Sequence, residues 1–218
     1  QEAIFLDGPA GSQVPQCVAD AVTNYMLHTN ANGGGFFATS QESDALMDVC
    51  QEAAAAFFGA SDPNEIVFGP NMTSLTNKIS RLLKTQWQSG DEIILSSSEH
   101  DANYTPWVKA AESQGVVVKT IPLKTEDCTL DQEAYRALLS PKTQLVAVGF
   151  ASNASGTIHP IREMAEAAHQ VGAKFYVDAV HYAPHGLIDV EALGCDFLVA
   201  SAYKFFGPHV GMLWGKRE

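Results

Sequence analysis

Short apolar runs alternate with longer amphipathic stretches along most of the chain. From about Ile66 onward, runs rich in β-branched residues are separated by stretches in which apolar residues recur at helical spacing. This alternation is typical of a parallel sheet covered by helices on both faces. The predicted strands lie at residues 65–69, 92–97, 116–122, 144–150, 174–178, 197–202 and 211–215.

The stretches between the strands are long enough for crossover helices, and two further helices are predicted upstream. Residues 30–35, mostly Asn and Gly, separate the upstream pair and form a loop with little intrinsic order. Gly59 follows the second of them as a helix stop. The predicted helices lie at residues 15–28, 43–58, 76–85, 105–114, 132–139 and 161–171.

The last connection differs from the others. Residues 203–210 are too few for a helical crossover, so the final strand is expected to return antiparallel to the one before it. The predicted fold class is therefore α/β, a mostly parallel seven-stranded mixed sheet with helices on both faces.

Composition narrows the class of protein. A chain of 218 residues with 46% hydrophobic and 17% charged residues is long enough for one large domain with a substantial core. Its net charge of -12 argues against a nucleic-acid or anionic-membrane partner.

The cysteines and the N-terminal residues bear on the cellular compartment of the protein. The four cysteines contain no C-x-x-C pair, so neither a metal site nor a disulfide framework is indicated, and a reducing cytoplasm fits best. No apolar stretch is long enough to cross a bilayer, and residues 1–7 lack a basic start followed by an apolar run.

Two charged residues end apolar strands. Lys204 follows the strand 197–202, at the edge where open α/β sheets bind ligands, and a neutral lysine there can attack an aldehyde. Asp178 closes the preceding strand, where an unpaired carboxylate is costly to bury. The alternatives are a solvated lysine and an aspartate that caps the following turn.

The segment after the first strand suits an anion. Asn71, Met72, Thr73 and Ser74 open a helix whose N–H groups can meet a phosphate. Neither G-x-G-x-x-G after a strand nor G-x-x-x-x-G-K-[ST] occurs, so a nucleotide-binding domain is the weaker interpretation.

Two motifs carry a family resemblance. Val-Asp-Ala-Val-His-Tyr-Ala-Pro-His at 177–185 and Ser-Ala-Tyr-Lys at 201–204 resemble the class V aminotransferases, above all the cysteine desulfurase and selenocysteine lyase branch. The resemblance runs from Phe5 through residues 152–157 to Pro208. It implies the large domain of a fold type I enzyme that uses pyridoxal 5'-phosphate.

The resemblance also implies roles for three catalytic residues. Lys204 would form the Schiff base with the cofactor, and Asp178 would keep the pyridine nitrogen protonated. His100 falls where the family stacks an imidazole on the ring and uses it in proton transfer. A helix-start histidine is the alternative for His100.

Further cofactor contacts follow from the same resemblance. Met72 and Thr73 match the phosphate cup, and Ser201 and Tyr203 supply hydroxyls, although many relatives have a histidine in place of Tyr203. Asn153 and His181 would lie near the phenolic oxygen of the cofactor.

Two of these positions leave alternatives open. Many desulfurases carry a glutamine in place of His181, and an imidazole can change its charge near neutral pH. Asn153 would also contact the substrate carboxylate, and its alternative is a loop-turn asparagine.

The function implied is that of an enzyme acting on an amino acid, most similar to cysteine desulfurases. Transamination or epimerisation of another amino acid is one alternative, and a non-catalytic cofactor-binding fragment is another. Loop 30–35 favours the latter, because it lacks the basic residue common in desulfurases.

The family also sets expectations beyond the site. Its sulfur-accepting cysteine and carboxylate-binding arginine belong to a smaller C-terminal domain expected to lie outside this chain. Residues 1–60 would form a helical segment and residues 61–218 the sheet domain. A homodimer and a sulfur-acceptor protein are the partners implied.

Overall fold

The computed structural model describes Ile4 and residues 6–217. Phe5, which begins the N-terminal motif, lies outside the described residues, as do residues 1–3 and Glu218. The strands are β1 (Ile66–Gly69), β2 (Glu92–Ser96), β3 (Val117–Ile121), β4 (Thr143–Gly149), β5 (Lys174–Asp178), β6 (Phe197–Ser201) and β7 (Gly211–Gly215). The helices are α1 (Gln16–His28), α2 (Ala38–Phe58), α3 (Met72–Leu83), α4 (Thr105–Glu112), α5 (Gln132–Leu138), α6 (Ile161–Gln170) and α7 (Val190–Leu193).

The seven strands form one mixed sheet in the order β1-β7-β6-β5-β4-β2-β3. Strands β6, β5, β4, β2 and β3 are mutually parallel, whereas β7 runs antiparallel to both β6 and β1. The predicted reversal of the last strand is therefore confirmed. At the carboxyl edge, Gly149 of β4 lies beside Asp178 of β5.

Side chains of the central strands alternate between two apolar layers. On β4, Val146 and Val148 pack in the layer under α2 and α6, while Leu145 and Ala147 pack in the layer under α3 and α4. All four are fully buried. Both faces are therefore covered by helices, as predicted, and the near-continuous apolar strands follow from that burial.

Helix α2 begins at Ala38, ahead of the predicted start at residue 43. Its first turn holds the Gly-rich loop, because the hydroxyl of Ser40 accepts from Gly35 N–H at 2.8 Å and Asp44 accepts from Gly34 N–H at 2.8 Å. Residues 30–35 form a loop without helix or strand, as expected, and these hydrogen bonds hold part of it against α2. A β-carbon at Gly33 would stand 2.2 Å from the Asp44 carboxylate, so glycine permits the close approach.

Candidate functional site

A cavity at the carboxyl ends of β5 and β6 gathers most of the predicted site. Its lining consists of Met72, Thr73, His100, Asp178, Val180, His181, Tyr203 and Lys204. Lys204 and His181 also line a neighbouring cavity of about 850 Å³. These side chains thus meet at the carboxyl edge of the sheet, the edge where the sequence predicted a ligand site.

Lys204 ends a short 3-10 turn, Ala202–Lys204, that directly follows β6. Its amine donates to the carbonyl of Pro9, and the Ser12 N–H donates to the Tyr203 carbonyl at 2.9 Å. The N-terminal segment is therefore fastened beside the lysine. Burial lowers the pKa of the Lys204 amine, although Asp7 and Asp178 oppose that shift.

Asp178 is the last residue of β5 and is 6% exposed. Its carboxylate accepts from the Val180 N–H at 3.0 Å. Burial raises the pKa of Asp178 to about 6, while that hydrogen bond and the positive charge of Lys204 act in the opposite direction. The carboxylate is therefore mostly ionised at neutral pH and ready to bind a cationic N–H.

The start of α3 forms an anion-binding cup. Asn71 caps the helix by accepting from the Ser74 N–H at 2.8 Å, and the Met72 N–H donates to the Ser201 hydroxyl at 2.9 Å. Helix α3 begins at Met72, as the segment Asn71–Ser74 indicated, and these two bonds place its start before residue 76, where apolar periodicity had placed it. In the part of the chain that is described, no acceptor meets the Thr73 N–H.

A glycine lets the cup approach the sheet. A β-carbon on Gly211, the first residue of β7, would stand 2.4 Å from the backbone carbon of Asn71. Only glycine therefore allows the start of α3 to pack against β7 at this distance. The bond from Met72 to Ser201 ties the same helix end to β6.

Tyr203 stacks on a second aromatic ring rather than standing alone. Its ring lies 4.5 Å from that of His209, centroid to centroid, with an angle of 19° between the planes. The Lys204 amine is 5.2 Å from the Tyr203 ring centroid. The stacked pair fixes the ring that replaces the histidine of many relatives.

His100 is oriented by its own backbone. It stands before the 3-10 turn Asp101–Asn103, and its Nδ1 accepts from the Ala102 N–H at 3.1 Å. In the neutral imidazole, the proton therefore lies on Nε2. The ring itself lines the cavity beside Lys204.

His181 differs from the expectation of a charge that changes near neutral pH. Burial lowers the pKa of its imidazole to about 4, and the charges of Lys204, His100 and His185 add to the shift. The imidazole is consequently neutral at physiological pH. It offers one donor and one acceptor.

Asn153 is the one predicted cofactor contact placed apart from the others. It lines a separate cavity of about 390 Å³ with His181 and His185, beside the turn that follows β4. Ser201 lies behind the cup and is fully buried. The remaining seven predicted residues all line the cavity at the carboxyl ends of β5 and β6.

The roles of three residues, Pro9, Ser12 and Glu99, were not identified from the sequence. Pro9 and Ser12 lie near the N-terminus, but their contacts with the lysine turn depend on residues at the far end of the chain. Glu99 was also missed. Its only signal was an acid placed directly between the end of β2 and His100.

A family comparison agrees with this geometry. The family model described as "Aminotransferase class-V" matches residues 4–218. The chain belongs to the class-V aminotransferase family, as the motifs around Asp178 and Lys204 predicted.

Individual relatives confirm the predicted branch. The chain is 39% identical to "Aminotransferase-like protein FGM3" of Gibberella zeae, over 98% of the chain and 54% of that protein. It is 38% identical to a probable cysteine desulfurase of Synechocystis sp., over 99% of the chain and 52% of that protein.

A solved structure confirms the fold class. The apo structure of cysteine desulfurase from Thermococcus onnurineus NA1 superposes with a TM-score of 0.94 at 32% identity, over 99% of this chain and 54% of that one. The chain thus spans about half the length of the curated relatives it matches. None of the described helices is both long and apolar enough to cross a membrane.

Proposed function

We propose that this chain is the cofactor-binding large domain of a pyridoxal 5'-phosphate enzyme that acts on an amino acid, most similar to cysteine desulfurases. The single observation that carries the proposal is the cavity shared by Lys204, Asp178, His100 and the start of α3. A nucleophilic amine and a buried acid are the groups that this cofactor uses for its Schiff base and its ring nitrogen, and the anion cup suits its phosphate.

The donor set fits the cofactor's phosphate. The Thr73 N–H has no acceptor within the described chain, and the N-terminus of α3 favours an anion. Ser201 accepts from the Met72 N–H, which leaves its own hydroxyl proton available to donate. Met72, Thr73, Ser201 and Tyr203 would hold the phosphate.

The chain's own residues would divide the remaining work. When bound, pyridoxal phosphate withdraws electrons from the substrate's α-carbon. Burial favours the neutral amine of Lys204, which is the form that attacks a carbonyl or accepts a proton. Asp178 would hold a proton on the ring nitrogen. His100 lines the same cavity, and His181 presents a neutral imidazole to it.

The cysteines of this chain are unsuited to accepting sulfur. Burial raises the pKa of the Cys195 thiol to about 12, so that residue stays protonated. Neither Cys17, Cys50 nor Cys128 lines the cavities beside Lys204. If the substrate is cysteine, sulfur would pass to a cysteine of another domain or of an acceptor protein.

We also propose a homodimer in the cytoplasm. Apolar side chains of α1 and of the following loop face solvent, with Met26 64% and Phe36 99% exposed. Exposed apolar side chains of this kind suit a protein contact. The four cysteines are unpaired, which agrees with a reducing compartment.

The first experiment measures cofactor attachment. The purified chain is mixed with pyridoxal phosphate, and the absorbance spectrum is recorded before and after borohydride reduction. We expect a reducible band and a mass adduct on Lys204, both lost in Lys204→Ala. Lys109→Ala removes an exposed lysine of α4 and serves as the matched control. A folded wild-type chain without an adduct would overturn the proposal.

A second experiment separates an enzyme from a non-catalytic cofactor-binding protein. The non-catalytic alternative gains support from the loop 30–35, which lacks the basic residue expected from the family resemblance. Amino acids are incubated with the loaded chain in deuterated water, and exchange of the α-proton is followed by NMR. Exchange that is lost in Lys204→Ala supports the enzyme. Bound cofactor without exchange for every amino acid supports the alternative.

A further inference from the structure

Glu99 joins three elements at the edge of the sheet. One carboxylate oxygen, Oε1, accepts from the hydroxyl of Ser96 at the end of β2 and from the Gly149 N–H of β4, the latter at 2.9 Å. The other oxygen, Oε2, accepts from the side-chain amide of Asn103 at 2.6 Å. Ser96 and Asn103 are fully buried.

The direction of the Asn103 amide is fixed by a further partner. The indole N–H of Trp107 donates to Asn103 Oδ1 at 3.0 Å, and Trp107 is fully buried. The amide nitrogen of Asn103 must therefore point at Glu99. Because both Asn103 and the Gly149 N–H are donors, both oxygens of Glu99 must act as acceptors.

These contacts connect His100, which would stack on the cofactor ring, with Asp178, which would bind the ring nitrogen. The Asn103 N–H donates to the His100 carbonyl at 2.8 Å, which closes the turn that carries the imidazole. Gly149 is the register neighbour of Asp178. Glu99 is thus bonded both to the turn of His100 and to the strand position beside Asp178.

We propose that Glu99 is a positioning residue that fixes His100 relative to Asp178 through its bonds to Asn103 and Gly149. This inference rests on the proposed pyridoxal phosphate function.

The charge of Glu99 is sensitive to its surroundings. Burial raises its pKa to about 7, the charge of Asp178 adds to the rise, and the three hydrogen bonds oppose it. Ser96 also contacts the Ser98 hydroxyl at 3.0 Å, and Ser98 contacts His159 Nε2 at 3.2 Å. Burial lowers the pKa of His159, so no cation faces Glu99 from that side.

The test uses the isosteric variant Glu99→Gln. A glutamine has one acceptor oxygen and one NH₂ group, so whichever way it turns, its NH₂ meets Asn103 or the Gly149 N–H as donor against donor. The readout is the ¹⁵N chemical shifts of the His100 ring in the cofactor-free chain, which report the tautomer and the pKa. His100→Gln identifies the signal, and Glu112→Gln, an exposed acid on α4, is the matched control.

We expect Glu99→Gln to stay folded and to lose the pure Nε2–H tautomer of His100. Pyridoxal phosphate binding should weaken by roughly tenfold, equivalent to one lost buried hydrogen bond. Glu112→Gln should change neither property. A folded Glu99→Gln chain with the wild-type His100 spectrum would overturn the inference.

If Glu99→Gln does not fold, the variant Asn103→Asp tests the same role of Glu99. The variant puts an acceptor against Glu99 Oε2, and a proton shared by the two carboxyl groups restores the bond. The backbone amide shifts of the turn from His100 to Asn103, each compared with the wild type at the same pH, should therefore differ at pH 8 and return toward the wild-type values at about pH 5. An effect on stability alone would give no such recovery and would sink the inference. Because the spectra need no cofactor, they decide the role of Glu99 even where the absorbance experiment fails.

Discussion

The backbone N–H of Met72 donates to the hydroxyl of Ser201 over 2.9 Å and so joins the first residue of α3 to the last residue of β6. The anion cup and the turn that carries Lys204 thereby share one buried hydrogen bond. A movement of either element would displace the other.

Ser201→Ala should weaken both the fold and cofactor binding. The substitution leaves the Met72 N–H buried without an acceptor, which costs about 1–3 kcal/mol in the free energy of unfolding. It also removes a hydroxyl from the proposed phosphate site. Urea unfolding and a cofactor titration measure the two effects. Ser97→Ala, at an exposed serine directly after β2, is the control, and equal behaviour of both variants would contradict the expectation.

Thr76→Val should cost more stability than Tyr176→Phe. The Thr76 hydroxyl lies 2.8 Å from the Tyr176 hydroxyl and donates to the Met72 carbonyl at 3.0 Å, with both side chains fully buried. Valine leaves the Tyr176 O–H without an acceptor, a loss of about 1–3 kcal/mol, whereas phenylalanine leaves Thr76 satisfied. The double variant should regain part of the loss, as measured by urea unfolding. Strict additivity of the two losses would argue against this bond.

His181 should make stability depend on pH in a defined window. Its pKa is about 4 in the folded chain against 6.5 as the ordinary value, so the unfolded chain binds the extra proton between these limits. The wild type should therefore lose about 1–3 kcal/mol relative to His181→Gln as pH falls from 6.5 to 4. Urea unfolding across that range measures the difference. The control His28→Gln, at an exposed histidine, should run parallel to the wild type, and a parallel His181→Gln curve would refute the shift.

Gly33→Ala should loosen the loop before α2. Its methyl group would displace the Asp44 carboxylate and break the bond to the Gly34 N–H, for a loss of roughly 1 kcal/mol. Asp44→Ala breaks the same bond by another route. The double variant should therefore lose little more than either single variant, and thermal unfolding tests this. Fully additive losses would show that the two residues act separately.

Local pattern predicted the strands well because most of them are near-continuous apolar runs. The start of α2 was missed, and apolar periodicity placed the start of α3 at residue 76 although the segment 71–74 indicated an earlier one. Ser40 and Asn71 begin those helices through polar contacts with Gly35, Ser74 and their surroundings, and no apolar periodicity marks such contacts.

The candidate site divides in a similar way. Lys204 and Asp178 were predictable because a charged residue at the end of an apolar strand is conspicuous. Glu99 was not, because its partners come from β2, β4 and the turn before α4. The low pKa of His181 likewise depends on burial and on three neighbouring charges that only the fold brings together.

The position of β7 affects how the chain is assembled during synthesis. Strand β1 occupies the edge of the sheet and pairs with β7 alone, with Ile66 opposite Trp214. During translation, β1 leaves the ribosome well before β7. Until β7 follows, β1 and the anion-binding cup after it have no strand with which to pair. Contacts between such distant segments form slowly. The nascent chain should therefore acquire its capacity to bind an anionic ligand only after Gly215 has left the ribosome.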